Sequence, residues 1–276
     1  MKLDEVPIVC ISLNRRPDRW AKITAGAAAS GLNVQRLEAI DAAVFAKEAH
    51  TRTDITLGTA HNILFRKRRS HYEIDSAGAI GASLSHFKAW QQLQESDAPA
   101  LIVFEDDLLI PADLKGRLEA VLAAATADLG DDWDMIQLQQ TQFTTGAVGC
   151  APIPELSPWS NCTSLMGAHA YIVSQRGAAR LLAKAYPIEL HVDAYMAYMS
   201  RMGLIRMLWH PLIDLNLNYQ GSDIGHGFPP IMNVPTDMIK AGVVAMTVKE
   251  ALAMMTLAAI AGGILAVACF AKRLRR

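Results

Sequence analysis

The sequence has few cysteines, and their spacing excludes several classes of small protein. Only four cysteines occur in 276 residues, and no two of them form a Cys-x-x-Cys pair. Disulfide scaffolds and structural zinc sites need cysteines at close, regular spacings. The sequence therefore predicts neither of these, and reduced thiols of a cytoplasmic protein are expected.

The chain also lacks an excess of charge of either sign. The 26 lysines and arginines nearly balance the 27 aspartates and glutamates, which leaves a net charge of −1. Without a positive field, the chain is not expected to bind nucleic acid. Charged residues make up only 19% of the chain and hydrophobic residues 51%. A sizeable core is therefore expected, and intrinsic disorder is excluded.

One long hydrophobic run is present near the C-terminus. Residues 251–271 include no charged residue, and a helix of that length spans roughly 31 Å, the thickness of the hydrocarbon core of a membrane. A linker at 229–250 precedes this run and a basic tail at 272–276 follows it. The run predicts a transmembrane or membrane-associated helix, with a buried core helix as the alternative. Because no signal peptide is recognisable, the globular part is expected to be membrane-anchored on the cytoplasmic side, with the topology left open.

Residues 1–228 are expected to form one α/β domain, because short apolar runs alternate with helical patterns. Strands are predicted at 7–13, 34–40, 100–104, 134–138 and 168–174, and helices at 17–31, 78–94 and 176–185. One face of the helix at 78–94 consists of small residues, which predicts close approach of a neighbouring element. Residues 46–76 are predicted to form a polar loop. The basic run at 66–69 is interpreted as solvated, the alternative being a grip on lipid headgroups or acceptor phosphates.

Three consecutive acidic residues, Glu105, Asp106 and Asp107, follow the apolar run at 100–104. In open α/β sheets, ligands bind beyond the carboxyl ends of the strands. Residues two apart project to the same side of an extended chain, so Glu105 and Asp107 can reach one hard divalent cation. The alternative is a solvated turn before a helix that begins near Leu108.

Seven short motifs occur in an order that points to a known family. They are ISLNRRPDR at 11–19, AID at 39–41, GAIGASLSH at 78–86, ALIVFEDD at 100–107, GAHAYIVS at 167–174, HVD at 191–193 and SDI at 222–224. Together they resemble glycosyltransferase family 25, which includes bacterial lipooligosaccharide β-galactosyltransferases and procollagen galactosyltransferases. The sequence departs from the family pattern at Ala79, Ala82, His191 and Ala194.

The resemblance implies a GT-A-like open twisted sheet flanked by helices, a UDP-sugar donor, and Mn²⁺ or Mg²⁺ bound by Glu105 and Asp107. The residues that it assigns to nucleotide-sugar binding are Asn14, Arg15, Arg19, His86 and Asp106. An inverting transfer needs a base that takes the proton of the acceptor hydroxyl, and Asp193 is the candidate. The alternatives are a capping turn with surface arginines at 14–19, a structural role for His86, and a helix N-cap for Asp193.

The resemblance therefore implies an inverting glycosyltransferase that moves a hexose, galactose first, from a UDP-sugar to a saccharide acceptor. A lipid-linked glycan or lipooligosaccharide is the expected acceptor. Two other functions stay open: a catalytically inactive, membrane-tethered binding or adhesion module, and a metal-dependent phosphohydrolase that uses the same acidic residues.

Overall fold

The computed structural model describes residues 1–138, 150–163, 167–210 and 224. The predicted linker, C-terminal helix and basic tail at 229–276 lie outside the described residues. Two residues of the last motif, Ser222 and Asp223, lie outside them as well.

The described residues form a mixed eight-stranded sheet with the order β2-β1-β3-β7-β4-β8-β6-β5. The strands are β1 Ile8–Ser12, β2 Gln35–Glu38, β3 Ala100–Glu105, β4 Met135–Gln137, β5 Cys150–Pro152, β6 Ser160–Cys162, β7 Ala170–Ser174 and β8 Met207–Trp209. Strand β1 runs parallel to both β2 and β3. Strand β7 is antiparallel to both β3 and β4. The carboxyl ends of β1 and β3 therefore lie at the same edge of the sheet as the beginning of β7.

Helices cover both faces of this sheet. They are α1 Pro17–Ser30, α2 Leu57–Phe65, α3 Ala77–Gln94, α4 Leu114–Asp128, α5 Gln175–Leu182 and α6 Val192–Arg201. Helix α1 begins at a proline, which needs no backbone N–H there, and ends before Gly31, which has a φ of +70°. Helix α3 begins after Ser76, whose side chain accepts a hydrogen bond from the backbone N–H of Ala79.

The alternation of side chains along β3 divides the core into two parts. Leu101 and Val103 pack on one face with α3, α5 and α6, whereas Ile102 and Phe104 pack on the other face with α1 and α4. Both faces of β3 are thus buried. This explains why its sequence is continuously apolar instead of alternating.

The predicted loop at 46–76 is wrong, because it contains helix α2. This helix buries polar residues and exposes apolar ones. Thr59 and Asn62 are buried and donate side-chain hydrogen bonds to the carbonyls of Ile188 and Ile74, while Leu64 and Phe65 are more than half exposed. Apolar periodicity is the main sequence signal for a helix. Because the inward face of α2 is polar, this signal is missing and the helix was not predicted.

The predicted transmembrane helix, and with it the membrane-anchored location, is corrected. Among the described residues, no helix is both long and apolar enough to cross a membrane. The longest of these helices, α3, includes Lys88 and three glutamines, and it packs against the sheet. Residues 251–271, on which the expectation depended, lie outside the described residues. The fold class that the structure supports is a mixed α/β sheet flanked by helices.

The expectation of reduced thiols is also corrected. Cys150 and Cys162 form a disulfide between the antiparallel strands β5 and β6, where they are register partners. Cys10 is a free thiol, buried in β1. The spacing of the cysteines could not show this bond, because it depends on which strands pair.

Candidate active site

A cleft lies at the edge of the sheet where β1 and β3 end. It is lined by these two strand ends, by residues 39–42, by the first turns of α3 and by Ile224. All three acidic residues of the 105–107 run line the cleft, and so do Arg15, Arg19 and His86. The parallel pairing of β1 and β3 thus brings together residues from two distant motifs.

The small-residue face of α3 allows two backbone segments to form the wall of this cleft. A Cβ on Gly78 would lie 2.2 Å from the carbonyl oxygen of Ile224, and one on Gly81 would lie 2.7 Å from that of Ile40. The backbone N–H of Ile40 also donates to Ser85 Oγ at 2.8 Å. The predicted close approach of a neighbouring element is therefore confirmed.

Glu105 and Asp107 both contact His169, which directly precedes β7. The distance from His169 Nδ1 to Glu105 Oε2 is 2.8 Å, and that to Asp107 Oδ1 is 3.2 Å. Their potential ligand atoms lie within 4.8 Å of one another. The antiparallel pairing of β3 and β7 creates this group, since the backbone N–H of Glu105 donates to the carbonyl oxygen of His169 at 2.8 Å.

The electrostatics of this triad favour positive charge between the two carboxylates. Burial by itself disfavours a charged imidazole, but Glu105 and Asp107 outweigh that effect and raise the pKa of His169 to about 11. Burial also acts to raise the pKa of Glu105, yet His169 and His86 hold that pKa well below its ordinary value. Two carboxylates and an imidazole are a donor set that suits a divalent cation such as Mn²⁺. The residues present therefore fit a metal ion, which would take the place of the proton on Nδ1.

Asp106 is not a member of this triad and pairs with Arg19 instead. The distance from Arg19 Nη1 to Asp106 Oδ1 is 3.0 Å, and both side chains are buried. Burial raises the pKa of Asp106, although the hydrogen bonds from Arg19 and Ser12 act in the opposite direction. The positive charge of Arg19 thus balances the negative charge of Asp106 where both residues line the cleft.

The other predicted donor-site residues differ in position. Arg15 lines the cleft, and its Nε donates to Asp41 Oδ2 at 3.0 Å while nearly half of its side chain stays exposed. Asn14 is exposed and donates to Glu38, and it is not among the described residues that line the cleft. His86 is buried, with Nε2 3.0 Å from Glu105 Oε1. The structure thus brings Arg15 and His86 together with the acidic residues but leaves Asn14 outside the cleft.

Asp193 is not among the described residues that line the cleft, and its carboxylate binds backbone N–H groups outside the triad. It occupies the first turn of α6, where His191 and not Asp193 is the N-cap residue. Its Oδ2 accepts from the backbone N–H of Gly167 at 2.9 Å, and its Oδ1 accepts from that of Ala194 at 2.7 Å. Gly167 is two residues from His169, so Asp193 is fixed to the segment that delivers the third residue of the triad.

Sequence reasoning placed His169 inside a motif but assigned it no role. It is 62 residues from Asp107 along the chain, and no spacing rule connects the two. Only the pairing of β7 with β3 brings them together. The available signal was a histidine directly before an apolar strand, which indicates a strand end without showing which strand lies beside it.

Comparisons with known proteins show what this chain is similar to. A family model described as "Glycosyltransferase family 25 (LPS biosynthesis protein)" matches residues 6–196. A probable inactive glycosyltransferase 25 family member 3 of Bos taurus is 27% identical over 204 residues, which are 72% of this chain and 32% of that protein. Procollagen galactosyltransferase 1-A of Xenopus laevis is 29% identical over 170 residues, which are 58% of this chain and 25% of that protein. The chain thus spans about a third or less of the length of these relatives.

Proposed function

The chain belongs to glycosyltransferase family 25, and on that premise we propose that it transfers a hexosyl group, galactose first, from a UDP-sugar to a saccharide acceptor with inversion. The observation that carries the proposal is the grouping of Glu105, Asp107 and His169, because Glu105 and Asp107 line a cleft that Arg15 also lines. The similarity to a procollagen galactosyltransferase supports galactose as the sugar. The family's description as an LPS biosynthesis protein supports a lipid-linked glycan or lipooligosaccharide as the acceptor.

The donor site needs positive charge, because a nucleoside diphosphate leaves with developing negative charge. A Mn²⁺ or Mg²⁺ ion held by Glu105, Asp107 and His169 would neutralise that charge. Arg15, half-exposed at the cleft, adds a fixed cation for the diphosphate or the ribose. Asp106, held in place by Arg19, offers its remaining lone pairs to hydroxyl groups of the ribose or the sugar. Asn14, next to Arg15 in the chain, would contact the nucleotide only from outside the cleft.

The acceptor hydroxyl must lose its proton as it attacks the anomeric carbon. Asp193 is the proposed base, since its carboxylate is tied through Gly167 to the segment that carries His169. Two backbone N–H groups fix the orientation of this carboxylate, and a carboxylate retains further lone pairs for a substrate proton. In an inverting transfer the base takes this proton on the side opposite the leaving diphosphate, and that is the role proposed for Asp193.

A second candidate function is a catalytically inactive binding module of the same fold. Similar proteins of Bos taurus and Homo sapiens are named as probably inactive or inactive family members, and Ala79 and Ala82 depart from the family pattern beside the cleft. Such a module would bind a nucleotide or a glycan without releasing UDP from any UDP-sugar. Turnover of a UDP-sugar would exclude it.

Calorimetric titration of the full chain with UDP, with Mn²⁺ and then with EDTA, tests the donor site. We expect micromolar binding that requires Mn²⁺ and that Asp107→Asn abolishes. Asp113→Asn is the matched control, because Asp113 is an exposed acid that pairs with Arg117 on α4. Absence of UDP binding in the folded wild type would contradict the proposal in its UDP form.

A further inference from the structure

A buried chain of hydrogen bonds connects helix α3 to Glu105 by way of strand β7. Trp90 Nε1 donates to the Tyr171 hydroxyl at 2.9 Å, and that hydroxyl lies 2.8 Å from His86 Nδ1. The other ring nitrogen, His86 Nε2, lies 3.0 Å from Glu105 Oε1. Trp90, Tyr171 and His86 are each at most 1% exposed, so water does not compete for these bonds.

The direction of this chain follows from what each group can donate. An indole N–H is only a donor, so the Tyr171 oxygen must accept from Trp90. A phenol keeps its proton at neutral pH, and His86 Nδ1 is the acceptor that the structure places beside the Tyr171 hydroxyl. With Nδ1 accepting, a neutral imidazole carries its proton on Nε2 and donates it to Glu105 Oε1.

The two oxygens of Glu105 consequently have different tasks. Oε1 accepts the hydrogen bond from the buried His86 Nε2, while Oε2 lies 2.8 Å from His169 Nδ1 at the triad. A carboxylate held at one oxygen by a fixed donor presents the other oxygen in a defined direction. Outer contacts of this kind orient metal ligands in other proteins.

We propose that Trp90 and Tyr171 are positioning residues, which hold His86 in the tautomer with its proton on Nε2 and so orient Glu105 toward a cation at the triad. The cation belongs to the proposed function, and the inference rests on it to that extent. The tautomer of His86 is independent of any ion and can be measured separately.

Tyr171→Phe breaks the chain at its centre and keeps the aromatic ring. Tyr195→Phe is the matched control, since Tyr195 is buried in the same aromatic cluster and its hydroxyl donates to the carbonyl of Leu181 at 2.6 Å. Each variant loses a buried tyrosine hydroxyl and its bond to a protein acceptor. Tyr171→Phe also leaves the buried Trp90 Nε1 without its acceptor, so it is expected to lose more thermal stability than Tyr195→Phe. Only Tyr171→Phe removes the partner of His86.

The first measurement is the ¹⁵N spectrum of the histidine ring nitrogens in the full chain, with His86→Gln used to assign the signal. We expect wild type and Tyr195→Phe to show His86 protonated at Nε2 alone. Tyr171→Phe should change the His86 signals, because Nδ1 loses its hydrogen-bond donor. A wild-type His86 protonated at Nδ1, or an unchanged signal in Tyr171→Phe, would overturn the proposal.

The second measurement is titration with Mn²⁺ alone. Loss of a direct partner of a metal ligand typically costs 10–100-fold in metal affinity. Tyr171 acts on Glu105 through His86, so we expect up to about tenfold weaker binding for Tyr171→Phe. Tyr195→Phe should bind like wild type, and equal weakening in both variants would overturn the orienting role. A wild type that binds no Mn²⁺ would contradict the proposed function and the orientation toward a cation, while the ring-nitrogen signals would still decide the tautomer.

Discussion

At the scale of single residues, one point in the cleft favours positive charge, and the His169 imidazole supplies it in the structure. Its Nδ1 lies within 3.2 Å of an oxygen of both Glu105 and Asp107. A divalent cation at this point would satisfy the same two carboxylates more fully than one proton does. Replacing His169 therefore tests whether a cation binds at this point, because it removes one proposed ligand and leaves both carboxylates of the cleft in place.

His169→Gln is expected to weaken Mn²⁺ binding by at least about tenfold, because one of three ligands loses its imidazole nitrogen. Titration of the folded variant with Mn²⁺ measures the change. His61→Gln is the control, since His61 is exposed on α2 and contacts only Phe65 among the rings described. Unchanged affinity in His169→Gln would remove His169 from the proposed set of ligands.

Asp193→Asn is expected to lower the turnover number by about 10²–10⁴-fold, the contribution typical of a general base. The amide keeps the shape of the carboxylate but cannot take the proton of the acceptor. The dissociation constant of UDP should stay the same, because Asp193 does not line the donor cleft. A parallel loss of UDP affinity and turnover would assign Asp193 a structural role instead.

At the scale of elements, helix α5 closely approaches the residue directly before β4 at a glycine. A Cβ on Gly177 would lie 2.1 Å from the carbonyl oxygen of Asp134, whereas one on Gly116 would meet nothing within 4 Å. Both glycines are the third residue of their helix, Gly177 in α5 and Gly116 in α4. The pair therefore separates the effect of packing from that of helix propensity.

Gly177→Ala is expected to lower the free energy of unfolding by about 1–3 kcal/mol, the usual cost of overpacking. Gly116→Ala should instead raise it by about 0.5–1 kcal/mol, since alanine is the better helix former. Urea unfolding of both variants beside wild type measures the difference. Equal stability of the two variants would mean that α5 moves away from β4 without cost.

The elements that could be predicted from the sequence are those whose signals are local. Pro17 and Gly31 mark the ends of α1, and the apolar run at 100–104 marks β3. Helix α2 escaped prediction because it exposes its apolar side chains. For the candidate site, Glu105 and Asp107 were found from a strand end followed by acids, whereas His169 depends on which strand lies next to β3. Pairing between distant strands is a property of the whole fold, and no local pattern encodes it.

At the scale of the whole molecule, the Cys150–Cys162 disulfide closes the far edge of the sheet. It joins β5 to β6, and α6 contacts the same strand through Ser200, whose hydroxyl donates to the carbonyl of Cys162 at 2.7 Å. The bond thus connects the last strands of the sheet order to a helix of the core. Its loss is expected to affect the stability of this part of the fold.

Reduction of the disulfide is expected to lower the free energy of unfolding by about 2–4 kcal/mol, because the unfolded chain regains the freedom of a closed loop. Chemical unfolding with and without a reducing agent measures this change. The variant Cys150→Ser/Cys162→Ser should unfold like the reduced wild type and should not respond to the agent. A wild type whose stability does not change on reduction would contradict the expectation.

The strand order β2-β1-β3-β7-β4-β8-β6-β5 divides the sheet cleanly between the first and second halves of the chain. A cut at the exposed turn of Gly130 would leave β1, β2 and β3 in one fragment and β4 to β8 in the other. The seam between the fragments is the β3–β7 pair, and the triad spans it, with Glu105 and Asp107 on one side and His169 on the other. A divalent ion bound by the triad would then bridge the two fragments, and the ion concentration would set the apparent affinity of one fragment for the other. Binding of the ion proposed for the donor site could thus report whether the two fragments of a split chain have assembled.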